Sequence, residues 1–254
     1  MKTSIKHLEN QPPTCYNFNM SIFIPLGIVI LAMLIVASLQ LVPGVFALFY
    51  HYALGKYSKK RASILSLYFI LGTETIAACL FLSCFYLTYV FFFGFARPET
   101  SFLAYFMAGI LIALAIMSFF FYFRRGSGTK LFISRNTARA LDLNAKNVKT
   151  RSDAFLLGAL AGTYELIFTL PLYLLTSIEI MEMNAEYFSS NILTILYIIV
   201  PTIPLFFIRW RYQTGHNLAD VMKSRTRDKI FTRFILAFSF FILAILIICF
   251  RIGV

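Results

Sequence analysis

The chain has 254 residues, of which 59% are apolar and 13% charged, with 29 Phe and a net charge of +12. A mean hydropathy of +0.78 leaves too little polar side chain to cover a water-facing surface, which excludes an ordinary soluble domain. The four cysteines, Cys15, Cys79, Cys84 and Cys249, form no Cys-x-x-Cys pair and no His/Cys cluster, so neither a disulfide framework nor a zinc site is indicated.

The first 20 residues are polar and lack the plan of a cleaved signal peptide, so they read as a short tail outside the bilayer. Six apolar runs follow, at 21–54, 63–95, 102–123, 154–178, 192–208 and 231–250, each near the ~20 residues that a spanning helix needs. The expected fold is all-α, a polytopic membrane protein with six transmembrane helices and one membrane domain. All of its Lys and Arg except Lys2, Lys6, Arg97 and Arg251 lie in the connections after the first, third and fifth runs or, for Arg233, at the adjoining edge of the sixth, while Glu9, Glu99, Glu179, Glu182 and Glu186 lie on the opposite side. The positive-inside rule then predicts cytoplasmic basic loops and both termini outside, in a multi-pass protein of the cell membrane. Its basicity calls for anionic lipid head groups as partners and for no nucleic acid. Within the long third connection, 132–149 is expected to form a short amphipathic helix, with Leu131, Ala138, Leu141 and Leu143 on its apolar side; it lies on the membrane or is a solvated linker. The stretch 213–229 has a similar character, and its Thr214-Gly215-His216 matches no motif with a known mechanism.

An internal echo organises these runs. Leu196, Tyr197, Ile199 and Thr202 repeat Leu67, Tyr68, Ile70 and Thr73 at one constant offset, and Leu243, Ala244 and Ile245 repeat Leu114, Ala115 and Ile116 at the same offset. Pro171 follows Pro43 at one position less. Two halves of three helices have opposite orientations, so the echo predicts an inverted-topology repeat: repeat one over 21–123, a basic linker over 124–152 and repeat two over 153–252. Pro43 with Gly44, Pro171 and Pro201 mark the expected helix breaks, each proline removing a backbone hydrogen bond.

Two carboxylates fall inside apolar runs, Glu74 and Glu165, at similar depths in helices that start from the same side. A carboxylate at such depth costs at least ~2.5–3.5 kcal/mol to insert, so it reads first as functional. Gln40, Thr73, Thr75, Thr163, Tyr164 and Thr169 supply uncharged polar groups nearby, and no Lys, Arg or His shares the depth. The pair therefore reads as a proton or cation site, against the plainer reading of two neutral acids bonded together as structural glue. At least one of them is expected to titrate in the working pH range. Enzymes fare poorly: His7, His51 and His216 lie outside the apolar runs and no metalloprotease or lipid-phosphate motif occurs, so no catalytic residue, metal or cofactor is assigned.

The Pro43-Gly44 pair, the basic turn Lys59-Lys60-Arg61, the long basic loop and a fourth helix with Gly158, Gly162 and Pro171 resemble the LysE-type exporter superfamily, which also takes in CcdA/DsbD-type electron carriers. That resemblance implies a small exporter built as three plus three helices. The chain lacks the paired membrane cysteines of the electron carriers and an aspartate-rich metal motif, so the substrate stays a small solute or cation. A bundle of this size gains stationary surface by pairing as a homodimer. The alternative is a scaffold or assembly subunit that transports nothing; an intramembrane enzyme with Glu74 and Glu165 as paired acid and base ranks behind it.

Overall fold

The computed structural model describes residues 15–39, 41–94, 100–122, 135–183, 187–214 and 229–251. Every element among them is helical: α1 (Cys15–Ser38), α2 (Leu41–Lys56), α3 (Lys59–Gly94), α4 (Thr100–Met117) with a π-helical turn at Ser118–Tyr122, α5 (Arg135–Asn147), α6 (Arg151–Tyr164), α7 (Leu166–Glu182), α8 (Tyr187–Ile199), a 3₁₀ turn at Val200–Thr202, α9 (Ile203–Gln213) and α10 (Lys229–Arg251). The expectations on Gln40, Leu131, His216 and the N-terminal tail before Cys15 lie outside the described residues.

Four stretches are long and apolar enough to cross a membrane: Phe23–Lys56, Lys59–Phe91, Leu103–Phe120 and Asn191–Gln213. A fifth exists if α6 and α7, which meet at 75°, count as one bent span. In α10 the apolar stretch Phe234–Phe250 is shorter. Large apolar side chains such as Tyr86, Leu87, Phe106, Leu156 and Phe238 stand more than half exposed. Apolar surface of that extent is compatible with an integral membrane protein, where lipid covers it.

The helix directions are fixed by side-chain contacts. At the start of α3, Arg61 donates to the Lys149 carbonyl at 3.0 Å just before α6; farther along, Gly72 meets Phe155, and Gly162 meets Ile76, so α3 and α6 run parallel. By contrast α4 and α10 run antiparallel, since the Phe119 and Phe234 rings touch at one end while Ala104 and Ile247 line a common crevice at the other.

Glycine is essential at the α3–α6 crossing. A Cβ at Gly72 would stand 2.0 Å from the Phe155 carbonyl oxygen, and one at Gly158 would stand 2.0 Å from that of Phe69. Phe69-Ile70-Leu71-Gly72 and Phe155-Leu156-Leu157-Gly158 thus face each other as matching segments, backbone against backbone.

Two apolar clusters result. One, around Phe46, Phe49, Tyr50, Phe69 and Leu205, joins α2, the start of α3, α5, α6 and α9. The other, around Val29, Phe81, Leu111, Leu172, Tyr197 and Phe240, joins α1, the end of α3, α4, α7, α8 and α10. Between the clusters lies a layer of buried polar groups: Thr73, Glu165, Thr169 and Thr202.

The helix α5 ends at Asn147, just short of the expected end, and is docked. Leu141, Ala145 and Val148 are buried and Ala138 half-buried, a helical i, i+3, i+7 stripe, whereas Leu143 falls off that stripe and is exposed. Tyr52 of α2 donates to Asp142 at 3.0 Å, so the helix is pinned to the bundle instead of lying free on a membrane or serving as a solvated linker.

Candidate functional site

The polar layer is built from interrupted helices, and two of the three interruptions fall ahead of the prolines, not at them. Pro43 and Gly44 are helical, in the first turn of α2, and α1 ends ahead of them at Ser38, with Leu39 outside either helix. A proline ring crowds the carbonyl four residues earlier, which for Pro43 is that of Leu39, so the chain leaves the helix there and re-enters with Pro43 tolerated in the new first turn. Likewise Pro171 sits inside α7, and the break lies at Glu165, with φ −86° and ψ −3°. There Glu165 N–H donates to Gly162, and its carbonyl accepts from Phe168 and Thr169, so the backbone at the bend is satisfied. Only Pro201 lies within its break, the 3₁₀ turn between α8 and α9.

One side chain ties two of these breaks together. Glu165 Oε1 accepts the backbone N–H of Leu41 at 2.7 Å and of Val42 at 3.0 Å. Those are the first two residues of α2, and the third, Pro43, has no N–H to satisfy. The carboxyl at the bend of one broken span is therefore the N-terminal cap of the half-helix in another, supplied from 124 positions away. It sits where the helix dipole favours an acceptor.

A cavity of about 50 Å³ lies at this junction, lined by Leu39, Val42 and Pro43 of the first break, Gly162 and Glu165 of the second, Pro201 and Thr202 of the third, and Thr73. Thr73 donates its hydroxyl to the Phe69 and Gly158 carbonyls at 3.1 and 3.3 Å. Tyr173, which lines the cavity, belongs to an aromatic trio: Phe81 to Tyr173 at 5.7 Å, Phe81 to Tyr197 at 5.0 Å and Tyr173 to Tyr197 at 5.8 Å between ring centroids.

Glu74, the neighbour of Thr73 on α3, has a different environment from Glu165. The Thr202 hydroxyl stands beside its carboxyl but donates its proton to the Ile199 carbonyl at 2.7 Å. Its Oε2 is shut off from solvent and has no hydrogen-bond partner among the described residues. Glu165 lines the cavity, whereas Glu74 does not and borders it beside Thr73 and Thr202.

The structure thus gathers Thr73, Glu165, Pro43 and Pro201 at one place, with Glu74 beside them. Thr163 is not among them: its hydroxyl turns back to the Leu160 carbonyl at 2.7 Å. Thr202, weighed in the sequence only as the repeat partner of Thr73, is the group that faces Glu74. Glu179, grouped with the outer acidic residues, is buried in the last turn of α7 beside Ala104 and Ile247. Among the described residues no group of three or more His, Cys, Asp or Glu side chains is placed to hold a metal ion. No protein-family model matches the chain, and neither a curated protein nor a solved structure is significantly similar to it.

Proposed function

We propose that the chain is a small membrane transporter, an exporter of a small solute or cation, in which Glu74 carries the coupling proton or cation and Glu165 holds the broken helices in register. The observation that carries this reading is the convergence of three interrupted spans on one cavity beside a sealed carboxyl oxygen without a partner. Interrupted helices expose backbone groups at membrane depth, which is tolerated where they line a cavity or bind an ion. A scaffold would gain nothing from leaving the Glu74 oxygen unsatisfied.

Size narrows the cargo of this closed state. At about 50 Å³ the cavity holds one or two waters or a dehydrated ion, since a water occupies ~30 Å³. A larger solute requires the aromatic trio or the Val42–Leu205 side to part. The parallel α3–α6 pair and the antiparallel α4–α10 pair support six alternating spans with the basic connections on the cytoplasmic side and both termini outside. An inverted three-plus-three repeat, membership of the LysE-type superfamily and a homodimer belong to the same reading, and no catalytic step does.

The test is flux in proteoliposomes carrying an internal pH dye, against a panel of monovalent and divalent cations. Wild-type protein moves protons against at least one of them, and Glu74→Gln removes that coupling while the protein still folds. Equal behaviour of wild type and Glu74→Gln across the panel leaves the scaffold reading in its place.

A further inference from the structure

The basic end of the bundle holds a second pocket, of about 350 Å³, lined by Arg61, Ile64 and Leu65 of α3, by Lys149 and Thr150, and by Arg151 of α6. Three cations and two aliphatic side chains are an amphipathic set: positive at the rim and apolar below. The two arginines are held in place by rings and backbone, not by carboxylates. The Arg61 guanidinium lies 4.5 Å from the Tyr57 ring centroid and spends one N–H on the Lys149 carbonyl. Arg151 lies 5.6 Å from the Tyr68 ring. Among the described residues none of the three makes an ion pair. The nearby acid, Asp153, directs Oδ2 to the backbone N–H groups of Lys149 and Thr150 in a capping box, so it orders the rim and offsets one of the three charges.

From this arrangement we infer a binding site for an anionic phospholipid, its phosphate held by Arg61, Lys149 and Arg151 and its acyl chains lying along the outer face of α3 below. Two guanidinium groups fixed by aromatic rings keep unspent N–H donors for phosphate oxygens, and the third cation adds charge without geometric demand. Directly below the rim, Ile64 continues at i+3 and i+7 into the exposed Leu67 and Leu71, an apolar track on the outer face of α3. A free phosphate would use the rim and leave Ile64 and the track without purpose; a lipid uses both. Basic pockets between membrane helices at the cytoplasmic interface have this chemistry. The inference needs the membrane reading and is independent of transport.

The test is thermal unfolding and native mass spectrometry of the full chain in detergent, with phosphatidylglycerol, phosphatidylcholine or inorganic phosphate added. Phosphatidylglycerol is expected to bind and raise the unfolding temperature, with little effect from the other two. Apparent affinity should fall about fivefold for each charge removed in Arg61→Gln, Lys149→Gln and Arg151→Gln. Should the arginine variants fail to fold, Lys149→Gln alone decides, because its ammonium makes no hydrogen bond among the described residues. The control, Lys56→Gln with Lys59→Gln and Lys60→Gln, removes the same charge from the same end outside the pocket and keeps the affinity. Equal loss in the control, equal binding of phosphatidylcholine, or an equal effect of inorganic phosphate overturns the inference.

Discussion

Replacing Gly72 by alanine tests the α3–α6 crossing on which the polar layer is hung. The new Cβ would stand 2.0 Å from the Phe155 carbonyl oxygen, where ordinary contact starts at 3.4 Å, so the two helices must part by roughly 1.4 Å. The clash is with backbone on both sides, and no rotamer change relieves it. A gap of even 0.5–1 Å forfeits about a quarter to a half of each contact's attraction, and the crossing is flanked by the buried Phe69, Ile70, Leu157 and Ala161. The Thr73 hydroxyl would also be drawn off the Gly158 carbonyl, already at 3.3 Å. Destabilisation of about 2–4 kcal/mol is expected, at or above the upper end for overpacking. Gly158→Ala should cost a similar amount by the mirror contact. The double variant is the sharper observation: once one methyl has parted the helices, the second meets less resistance, so the pair should cost less than the sum by about 1–2 kcal/mol. Reversible denaturation in mixed micelles, followed by circular dichroism, measures all three. A Gly72→Ala protein within about 0.5 kcal/mol of wild type, or strict additivity, would refute the close crossing.

Other expectations follow from the same contacts. Glu165→Leu leaves the N–H groups of Leu41 and Val42 buried without an acceptor, a loss of about 2–6 kcal/mol for the two, whereas Glu165→Gln keeps an oxygen at the same place and should retain most of the stability. Equal stability of the two variants in micelle denaturation would remove the capping role. Tyr52→Phe deletes the bond to Asp142 and should loosen α5 by about 0.5–1.5 kcal/mol, read as faster hydrogen exchange over Arg135–Asn147 with the rest of the bundle unchanged. For topology, Ser127→Cys or Thr226→Cys in a cysteine-free background should be shielded from an impermeant reagent outside the cell, and Thr100→Cys or Ala185→Cys should react; reversed labelling overturns the orientation.

Much of the fold was legible because hydropathy and proline are local signals. Five of the six apolar runs correspond to helical stretches that suit a membrane on their own or as a bent pair, and the sixth to the shorter apolar part of α10. The break at Pro201 falls where the proline stands, but the positions of the other two were not legible. A proline shows that a helix will be disturbed, but where the chain gives way depends on what can satisfy the freed backbone. For α2 the acceptor is Glu165, 124 residues on, and no local pattern announces it. The same long-range bond separates the two glutamates, which the sequence treats alike: one is consumed as a cap, and the other faces Thr202 with an oxygen left over. One signal was present and unused. The near-identity of Phe69-Ile70-Leu71-Gly72 and Phe155-Leu156-Leu157-Gly158 marks where two backbones touch, at a spacing unrelated to the offset of the broader echo.

The central claim is that Glu74 exchanges a proton or cation while Glu165 does not leave its cap. Difference infrared spectroscopy of the reconstituted protein, taken as pH is stepped across the working range, reads protonated carboxyl bands directly. The account predicts a carboxyl band that changes with pH in wild type and in Glu165→Gln and is absent from Glu74→Gln. A pH-dependent band that survives in Glu74→Gln and disappears in Glu165→Gln would contradict it.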